Sequence, residues 1–356
     1  MRIAVVGVGL IGGSIALATR EHGLGRVTAW DASPEALEAA LDRGAIDSAA
    51  DDLAGALDEA EVAFVAVPVG TLPATISEVL RAAPADCAVS DVGSTKRAIV
   101  AAQEDQRFVG GHPLAGAETS GVAHARADLF EGATWYLTPT SHTSGLLFER
   151  VYRMIGAMGA RPEAIDAATH DSTLALVSHL PHVLANALVT RASELLEAAD
   201  APLPASGPSF RDATRVAGAP SSIWTDIYLS NRDALVAQID ALAEHLQSVR
   251  RLLDQGDGPA ITAWNEAAAA SRRRLTEDEV TGQELVEVRA AVPNQPGVVA
   301  ELALALGRSG VNIIDLALHP AADMSEGVVA LWLPGPDAAD HAQAILEKLG
   351  HPVFRP

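Results

Sequence analysis

The sequence predicts an α/β protein with an N-terminal doubly wound sheet, a central all-helical domain and a small C-terminal unit of βαββαβ order. Three observations predict this fold class. Short apolar runs alternate with helical patterns over the first 165 residues, residues 166–275 show only helical periodicity, and strand-like alternation returns after residue 284. We therefore expect the domains at residues 1–165, 166–280 and 284–356.

Six apolar runs are the predicted strands of the N-terminal domain. The run at residues 62–67 is continuously apolar, which is typical of a parallel strand buried on both faces of a sheet. Ser33 and Pro34 predict the start of a helix that ends at Gly44. The six runs are residues 3–6, 26–30, 62–67, 87–90, 108–110 and 134–138.

The remainder of the chain changes character twice. A proline-rich stretch at residues 202–208 interrupts the helical domain, and the acidic residues 276–282 are predicted to form a linker. The tail is predicted to be a ferredoxin-like unit, since strand and helix patterns follow in βαββαβ order. Its elements are strands at 284–292, 311–319, 327–333 and 352–354 and helices at 298–309 and 338–349, with a turn at 293–297.

The composition of the chain excludes several classes of protein. Of its 356 residues 49% are hydrophobic, so a sizeable buried core is expected. A net charge of −21 disfavours nucleic acid and anionic membranes as partners. The single cysteine, Cys87, cannot form an intrachain disulfide, and no apolar run approaches the ~20 residues of a membrane span. Because the N-terminus also lacks a signal-peptide pattern, we expect a cytoplasmic protein.

A glycine-rich loop follows the first predicted strand and precedes the first predicted helix. Its sequence is Gly7-Val8-Gly9-Leu10-Ile11-Gly12. Gly7 and Gly9 allow a tight turn and the close approach of a pyrophosphate, while Gly12 allows the helix to pack on the strand. In this context the pattern predicts a Rossmann-like dinucleotide site, and glycines that serve packing alone are the alternative.

Asp31 and Pro68 extend this predicted cofactor site. Asp31 ends the second strand, where a carboxylate accepts hydrogen bonds from the adenosine ribose and repels a 2′-phosphate. The cofactor is therefore expected to be NAD rather than NADP. The alternative role of Asp31 is to open the turn before Ser33. Pro68 follows the third strand and is expected beside the adenosine.

Two further loops follow predicted strands. In a doubly wound sheet, ligands bind at the carboxyl ends of the strands, which is where these loops begin. The first loop contains Ser94 and Lys96, and the second contains His112 with Glu118 shortly after it. His112 is a candidate for proton transfer near neutral pH. For Ser94 a helix N-cap stays an equal alternative to a functional role.

The helical domain carries three further candidates. His179 and His182 are three residues apart and share a helix face. No third ligand lies at a useful spacing, so no metal site is expected. Arg211 follows an aromatic residue and is a candidate for binding a carboxylate, with a surface salt bridge as the alternative.

These motifs resemble, in the same order, those of the prephenate dehydrogenase family of tyrosine biosynthesis. The resemblance implies that NAD⁺ oxidises the 4-hydroxyl of prephenate with loss of the ring carboxylate as CO₂, which gives 4-hydroxyphenylpyruvate. Arogenate dehydrogenase, whose product is tyrosine, or a dual-specificity enzyme is the alternative. The matching segments are residues 7–14, 91–96, 112–118, 178–182 and 210–212, within roughly residues 1–280.

The resemblance also implies roles for single residues. His112 takes the hydroxyl proton, Ser94 holds that hydroxyl against His112, and Arg211 binds a substrate carboxylate. Since prephenate is a dianion, Arg211, Lys96 and the histidines are expected to supply local positive charge. The helical domain is implied to form a homodimer. The other residues implied to contact substrate are His179, His182, Glu118 and Lys96.

The C-terminal unit resembles an ACT regulatory domain. The resemblance implies an amino-acid effector, and tyrosine is the expected one, with phenylalanine or another amino acid as alternatives. A ligand-free unit that serves only oligomerisation is a further alternative. The implied effector-binding residues are Asn294, Gln295, Gly297, Asn312 and Ile313.

Two other functions were weighed against this one. A 3-hydroxyacid dehydrogenase has a similar nucleotide-binding domain but places a catalytic lysine in its helical domain, and residues 166–250 contain no lysine. An amino-acid sensor that binds NAD without turnover is the alternative outside enzymes.

Overall fold

The computed structural model describes residues 1–116, 119–198, 207–279, 285–293, 298, 301–302, 305–306, 309–311, 313, 315–321 and 326–356. The chain forms two compact units, Met1–His245 and Leu246–Pro356. The predicted residues Glu118, Asn294, Gln295, Gly297 and Asn312 lie outside the described part of the chain.

The first unit is built on an eight-stranded sheet. Its order is β3-β2-β1-β4-β5-β6-β7-β8, and neighbouring strands are parallel except for β6 and β7, which are antiparallel. The strands are β1 Arg2–Val6, β2 Arg26–Trp30, β3 Ser48–Ala49, β4 Val62–Val65, β5 Ala88–Asp91, β6 Phe108–Pro113, β7 Thr134–Thr138 and β8 Arg161–Ala164. All six predicted strands are present. The sequence analysis missed β3 and β8 because β3 has two residues and β8 is largely exposed, so neither has an apolar run.

Helices cover both faces of this sheet, as the doubly wound prediction requires. One core joins Ile15 and Met154 to Val5 and Phe64, whereas the opposite core joins Ile76 to Val65. The helices are α1 Leu10–Glu21, α2 Pro34–Asp42, α3 Leu53–Leu57, α4 Leu72–Ala82, α5 Arg97–Ala101 and α6 Gly145–Ala157. The strands β1, β4 and β5 lie in the middle of the sheet, so their carboxyl ends open next to one another.

The described residues between β8 and Glu279 contain helices and no strand, as predicted. The segments are α7 Ala167–Leu174, a π-helical turn at Ala175–His179, α8 Leu180–Ala198, α9 Pro208–Thr214, α10 Ser221–Ser230, α11 Arg232–Gln255 and α12 Gly258–Glu279. The expected linker at residues 276–282 is wrong for its first four residues, because α12 continues through Glu279. Glu277 and Glu279 are good helix formers, so an acidic stretch alone does not end a helix.

The second unit contains a four-stranded antiparallel sheet in the order β10-β11-β9-β12. Its strands are β9 Leu285–Pro293, β10 Asp315–Pro320, β11 Glu326–Pro334 and β12 Val353–Phe354. Helix α13, Gly335–Lys348, packs Leu346 against Val288 and Leu331 of the sheet. Leu302 and Leu306 lie in the same core. A small antiparallel sheet is therefore present where the sequence predicted one.

Within the described residues one helical stretch, Ala167–Leu196, is long and apolar enough to cross a membrane by length and composition alone. The core helix of a globular protein meets the same criterion. This stretch carries His170, Asp171 and His179, which are almost fully buried. Ionisable side chains are expensive in hydrocarbon, so these residues favour a core helix.

Candidate active site

The glycine-rich loop connects β1 to α1 at the carboxyl edge of the sheet. Gly7 has a φ of +94°, and a Cβ there would lie 2.5 Å from the carbonyl oxygen of Ala66. A Cβ at Gly12 would lie 1.9 Å from the carbonyl oxygen of Gly7. By contrast, no described atom lies within 4 Å of a Cβ built at Gly9. The loop is thus tightly packed on the protein side and open where a pyrophosphate would approach.

The start of α1 suits a dinucleotide phosphate. Gly9 is the N-cap residue and offers no side-chain hydrogen bond to the helix. The first amides of a helix have no partner within the helix and carry partial positive charge, so they favour an anion. Leu10 and Ile11 supply the first of these amides. The residues therefore fit a bound dinucleotide.

Asp31 lies at the end of β2 and holds the glycine loop in place. One oxygen accepts a hydrogen bond from the Val8 amide at 2.6 Å, and the other accepts one from the Ser33 amide at 2.9 Å. The turn-opening role is therefore present in addition to any contact with a ribose. Pro68 precedes the 3₁₀ turn Val69–Thr71 after β4, and so lies at the same carboxyl edge.

His112 lies in β6 and belongs to a buried chain of hydrogen bonds. Its Nδ1 is 2.8 Å from Nε2 of His170, and Nδ1 of His170 is 2.8 Å from Oδ1 of Asp171. We call Asp171, His170 and His112 the buried triad. The exposed fraction is 0% for His170, 1% for Asp171 and 8% for His112. The other two members of the triad, His170 and Asp171, come from α7, and neither was predicted to have a role.

The pKa of His112 lies well below its ordinary value of 6.5. Burial is the main cause, and the charges of His170, Lys96 and His179 act in the same direction. The imidazole is therefore neutral near pH 7. A neutral imidazole with one nitrogen bonded to His170 can accept a proton on the other.

Asp171 also holds the start of α5. Its Oδ1 accepts a hydrogen bond from the Lys96 amide at 2.7 Å, and its Oδ2 accepts one from the Arg97 amide at 2.9 Å. Burial opposes ionisation of this carboxyl, but the hydrogen bonds from His170, Arg97 and Lys96 outweigh it and lower its pKa. Asp171 thus joins α7 to the loop that contains Ser94 and Lys96.

Lys96 is placed differently from the expectation. Its ammonium group donates to Asp91, and both side chains are fully buried. Asp91 also accepts hydrogen bonds from the amides of Gly93 at 2.8 Å and Gly111 at 3.0 Å. Burial lowers the pKa of Lys96, while Asp91 and Asp171 oppose that shift. Lys96 is therefore a buried partner of Asp91 close to His112, and not a cation exposed in a cleft.

Ser94 is half-buried in the loop between β5 and α5. Because α5 begins at Arg97 with Lys96 as its N-cap residue, Ser94 does not cap this helix. Arg211 lies on α9, exposed, in the helical part of the first unit. Its role stays a prediction.

His179 and His182 lie next to each other in a second buried cluster. Asn231 donates from Nδ2 to the carbonyl oxygen of Asp171 at 2.7 Å and to Nδ1 of His179 at 3.2 Å. Burial lowers the pKa of His179 to about 4. Asn231 thereby connects His179 to the triad.

His182 stacks on Trp224, with ring centroids 3.6 Å apart and planes 3° from parallel. Its Nδ1 is hydrogen-bonded to the hydroxyl of Tyr228, and Asn186 lies 3.3 Å from the same atom. Among the described residues no side chain or backbone group makes a hydrogen bond of ordinary geometry to its buried Nε2, although the Val216 backbone opposes the lowering of the ring's pKa by burial. A buried polar atom without a partner is costly, so Nε2 is available for a ligand. Among the described residues no group of three potential ligands could hold a metal ion.

The site therefore combines residues that sequence reasoning found with residues that it missed. His112 was found because it follows a strand and lies between glycines and a proline. His170 and Asp171 in α7 and Asn231 between α10 and α11 were missed because no recognisable motif surrounds them, whereas Asp91 lies in the matching segment 91–96 but was assigned no role. An adjacent His-Asp pair at the start of a helical domain was the one available signal.

Comparison with known proteins shows what the chain is similar to. A family model described as the nucleotide-binding domain of prephenate dehydrogenase matches residues 15–164, and one described as its dimerization domain matches residues 166–266. A prephenate dehydrogenase of Bacillus subtilis is 30% identical over 355 residues, which cover 97% of this chain and 95% of that protein.

Solved structures are also similar. A crystal structure of prephenate dehydrogenase from A. aeolicus, in complex with hydroxyphenyl propionate and NAD⁺, has 30% sequence identity and a TM-score of 0.71, and the match covers 77% of this chain and 98% of that chain. The crystal structure of Synechocystis arogenate dehydrogenase has 28% sequence identity and a TM-score of 0.68, and the match covers 77% of this chain and 100% of that chain.

Proposed function

Because the chain belongs to the prephenate dehydrogenase family and is an NAD-dependent dehydrogenase, we propose that it converts prephenate to 4-hydroxyphenylpyruvate in tyrosine biosynthesis. The observation that carries the proposal is the neutral, buried His112 at the carboxyl end of β6. It supplies a base on the same edge of the sheet as the glycine-rich loop.

The residues present account for cofactor binding and the hydride step. The amides at the start of α1 bind the pyrophosphate, and Asp31 binds the adenosine ribose beside Pro68. Bound NAD⁺ supplies the acceptor for the hydride that leaves the carbon of the 4-hydroxyl group. His112 accepts the proton of that hydroxyl, so the proton and the hydride leave one C–O unit and a ketone remains.

Loss of CO₂ then follows from the substrate's own chemistry. The ketone lies para to the carbon that bears the ring carboxylate, and departure of CO₂ produces an aromatic ring. Aromatisation drives this step, so it needs no separate group to stabilise a carbanion. The protein's part is to orient the ring and its two carboxylates.

Five residues are proposed to orient the substrate. Ser94 donates a hydrogen bond to the 4-hydroxyl oxygen, whose own proton faces His112, and Arg211 binds a carboxylate. His182 offers its buried Nε2 to the substrate, and His179 contacts the same Trp224 ring. Glu118 keeps its proposed orienting role. Lys96 is proposed to act indirectly, through its ion pair with Asp91 and through its charge, which lowers the pKa of His112.

Arogenate is the second candidate substrate. It differs from prephenate only in carrying an amino group in place of the side-chain keto oxygen, and one similar solved structure is an arogenate dehydrogenase. His182 Nε2 is suited to either substrate, since an imidazole nitrogen donates in one tautomer and accepts in the other.

One assay tests the proposal. Purified protein is mixed with prephenate or arogenate and with NAD⁺ or NADP⁺, and formation of the reduced cofactor is followed. We expect turnover of prephenate with NAD⁺ and little with NADP⁺, because Asp31 repels a 2′-phosphate. Turnover of arogenate alone would replace the proposal with the second candidate. Absence of turnover with all four pairs, despite measurable NAD⁺ binding, would favour a sensor.

We also propose that the C-terminal unit is an ACT domain that binds tyrosine and lowers activity. A four-stranded antiparallel sheet with α13 on one face supports this, and Ile313 packs against its core. The match to the Bacillus subtilis protein covers 97% of this chain and so reaches into this unit. Repeating the assay with increasing tyrosine tests it, and an unchanged rate at saturating tyrosine contradicts it.

The chain is further proposed to act as a cytoplasmic homodimer. A dimerization-domain model matches residues 166–266, and many apolar side chains there are exposed in the single chain. Examples are Leu188, Leu195, Leu229 and Leu253, with exposed fractions of 46%, 55%, 68% and 62%. Exposed leucines on the helices that match a dimerization domain support a contact between subunits there, and sedimentation of the purified protein measures the expected mass.

A further inference from the structure

The hydrogen bonds of the buried triad determine which nitrogen of His112 is basic. The lowered pKa of Asp171 keeps its carboxylate ionised, and an ionised carboxylate only accepts hydrogen bonds. Nδ1 of His170 therefore carries a proton, and when this is the only proton on the ring its Nε2 is a lone pair. That lone pair faces Nδ1 of His112 at 2.8 Å, so Nδ1 of His112 carries the proton.

We propose that His170 and Asp171 are positioning residues that hold His112 in the tautomer whose Nε2 takes the substrate proton. The inference rests on the proposed function, because the proton comes from the substrate hydroxyl. In the opposite tautomer His112 would present an N–H group to that hydroxyl and could not act as a base. No sequence motif assigned either residue to this task.

The triad has little freedom to rearrange. Asp171 is held by the amides of Lys96 and Arg97 as well as by His170, and its own carbonyl oxygen accepts from Asn231. His170 is fully buried, and its ring lies edge-on to His112 with centroids 5.1 Å apart. Rotating either imidazole would break a buried hydrogen bond, which is costly.

The same arrangement stabilises the charge that forms during the reaction. When His112 takes the proton it becomes an imidazolium, whose Nδ1–H donates more strongly to His170. The carboxylate of Asp171 lies at the far end of this chain and offsets the developing charge without being protonated itself. A base held and backed in this way is the arrangement that gives histidine general bases their efficiency.

Three variants separate this role from simple support of the fold. His170→Leu removes the acceptor for Nδ1–H of His112, and we expect kcat to fall by about 100-fold or more. His170→Gln restores an acceptor near the same position, and we expect it to recover roughly ten-fold of that loss. Asp171→Asn keeps an acceptor oxygen but removes the charge, so kcat is expected to fall while NAD⁺ binding is retained.

Asp166→Ala is the matched control. The Asp166 side chain caps the start of α7 by accepting from the amides of Ala168 and Thr169 and makes no hydrogen bond to a triad side chain; its backbone carbonyl, which accepts from the His170 amide, is kept in the variant. We expect a lower Tm, because an N-cap is lost, with kcat unchanged. If Asp166→Ala loses kcat as much as His170→Leu does, or if Gln at position 170 is no better than Leu, the positioning role is wrong.

A spectroscopic measurement tests the tautomer without turnover. Nitrogen NMR of protein with labelled histidine distinguishes Nδ1–H from Nε2–H imidazoles. We expect His112, identified by loss of its signal in His112→Asn, to be the Nδ1–H form in the unaltered protein and a mixture in His170→Leu. An Nε2–H form of His112 in the unaltered protein contradicts the inference. This result is independent of whether prephenate is the substrate.

Discussion

His112 combines two properties that a base at neutral pH needs. It is neutral, because burial and the nearby charges of His170, Lys96 and His179 lower its pKa. It is also oriented, because His170 occupies one of its two nitrogens. At the scale of single residues, the proposed chemistry thus depends on a histidine that its surroundings keep neutral, so that it is free to accept the substrate proton.

Replacement of His112 by Asn tests this residue directly. We expect kcat to fall by ~10²–10⁴-fold, since a positioned general base contributes about that factor. The Kd for NAD⁺ is expected to stay the same, because the glycine-rich loop and Asp31 are untouched. Steady-state kinetics and titration of NAD⁺ measure the two quantities. A variant with normal kcat would move the base elsewhere.

At the scale of elements, the β1–α1 connection shows how glycine positions divide between packing and binding. Gly7 and Gly12 face protein atoms at distances no Cβ tolerates, whereas Gly9 faces open space and has a φ of −81° that any residue adopts. The two kinds of position carry the same residue for different physical reasons. Substitution by alanine separates them.

We expect Gly12→Ala to lower Tm markedly, because its Cβ would overlap the carbonyl oxygen of Gly7 and push α1 away from β1. Gly9→Ala is expected to keep Tm and to weaken NAD⁺ binding, since its Cβ would enter the open space where a pyrophosphate would approach the start of α1. Thermal unfolding and NAD⁺ titration of both variants measure the difference. Equal loss of Tm in the two variants would contradict the division.

At the scale of the whole molecule, buried neutral histidines make stability depend on pH. In the unfolded chain an imidazole binds a proton near its ordinary pKa of 6.5, whereas the folded protein holds His179 at a pKa of about 4 and His112 well below 6.5. Below about pH 6.5 the unfolded state therefore binds more protons. The free energy of unfolding therefore has its full value above that pH and falls as the pH decreases.

We expect Tm to fall steadily from about pH 6.5 towards pH 4. His179→Asn removes one of the titrating groups but keeps an acceptor for Asn231, so its Tm is expected to fall less steeply. The same substitution at the exposed His142 is the control. Thermal unfolding across the pH range measures the slopes, and equal slopes for all three proteins would contradict the linkage.

The sequence by itself determined the order of elements and the cofactor loop. Apolar runs and glycine spacing are local properties, so the six strands, the helical region and the loop at Gly7–Gly12 were predictable from neighbouring residues. Helix ends and short exposed strands were less so. Residues 276–279 continue α12, and β8 forms a strand although it has no apolar run. The conformation of both segments depends on neighbours in the fold, which local sequence patterns do not include.

Only the tertiary structure decided which side chains surround His112. His170 is 58 residues away along the chain, and Asp171 contacts amides 75 and 74 residues before it. Lys96 has the sequence context of a substrate-binding cation, yet the fold places it on Asp91. Such pairings form when the sheet and α7 pack together, because polar groups that become buried are stable only when they find hydrogen-bond partners. No local pattern in the chain records that requirement.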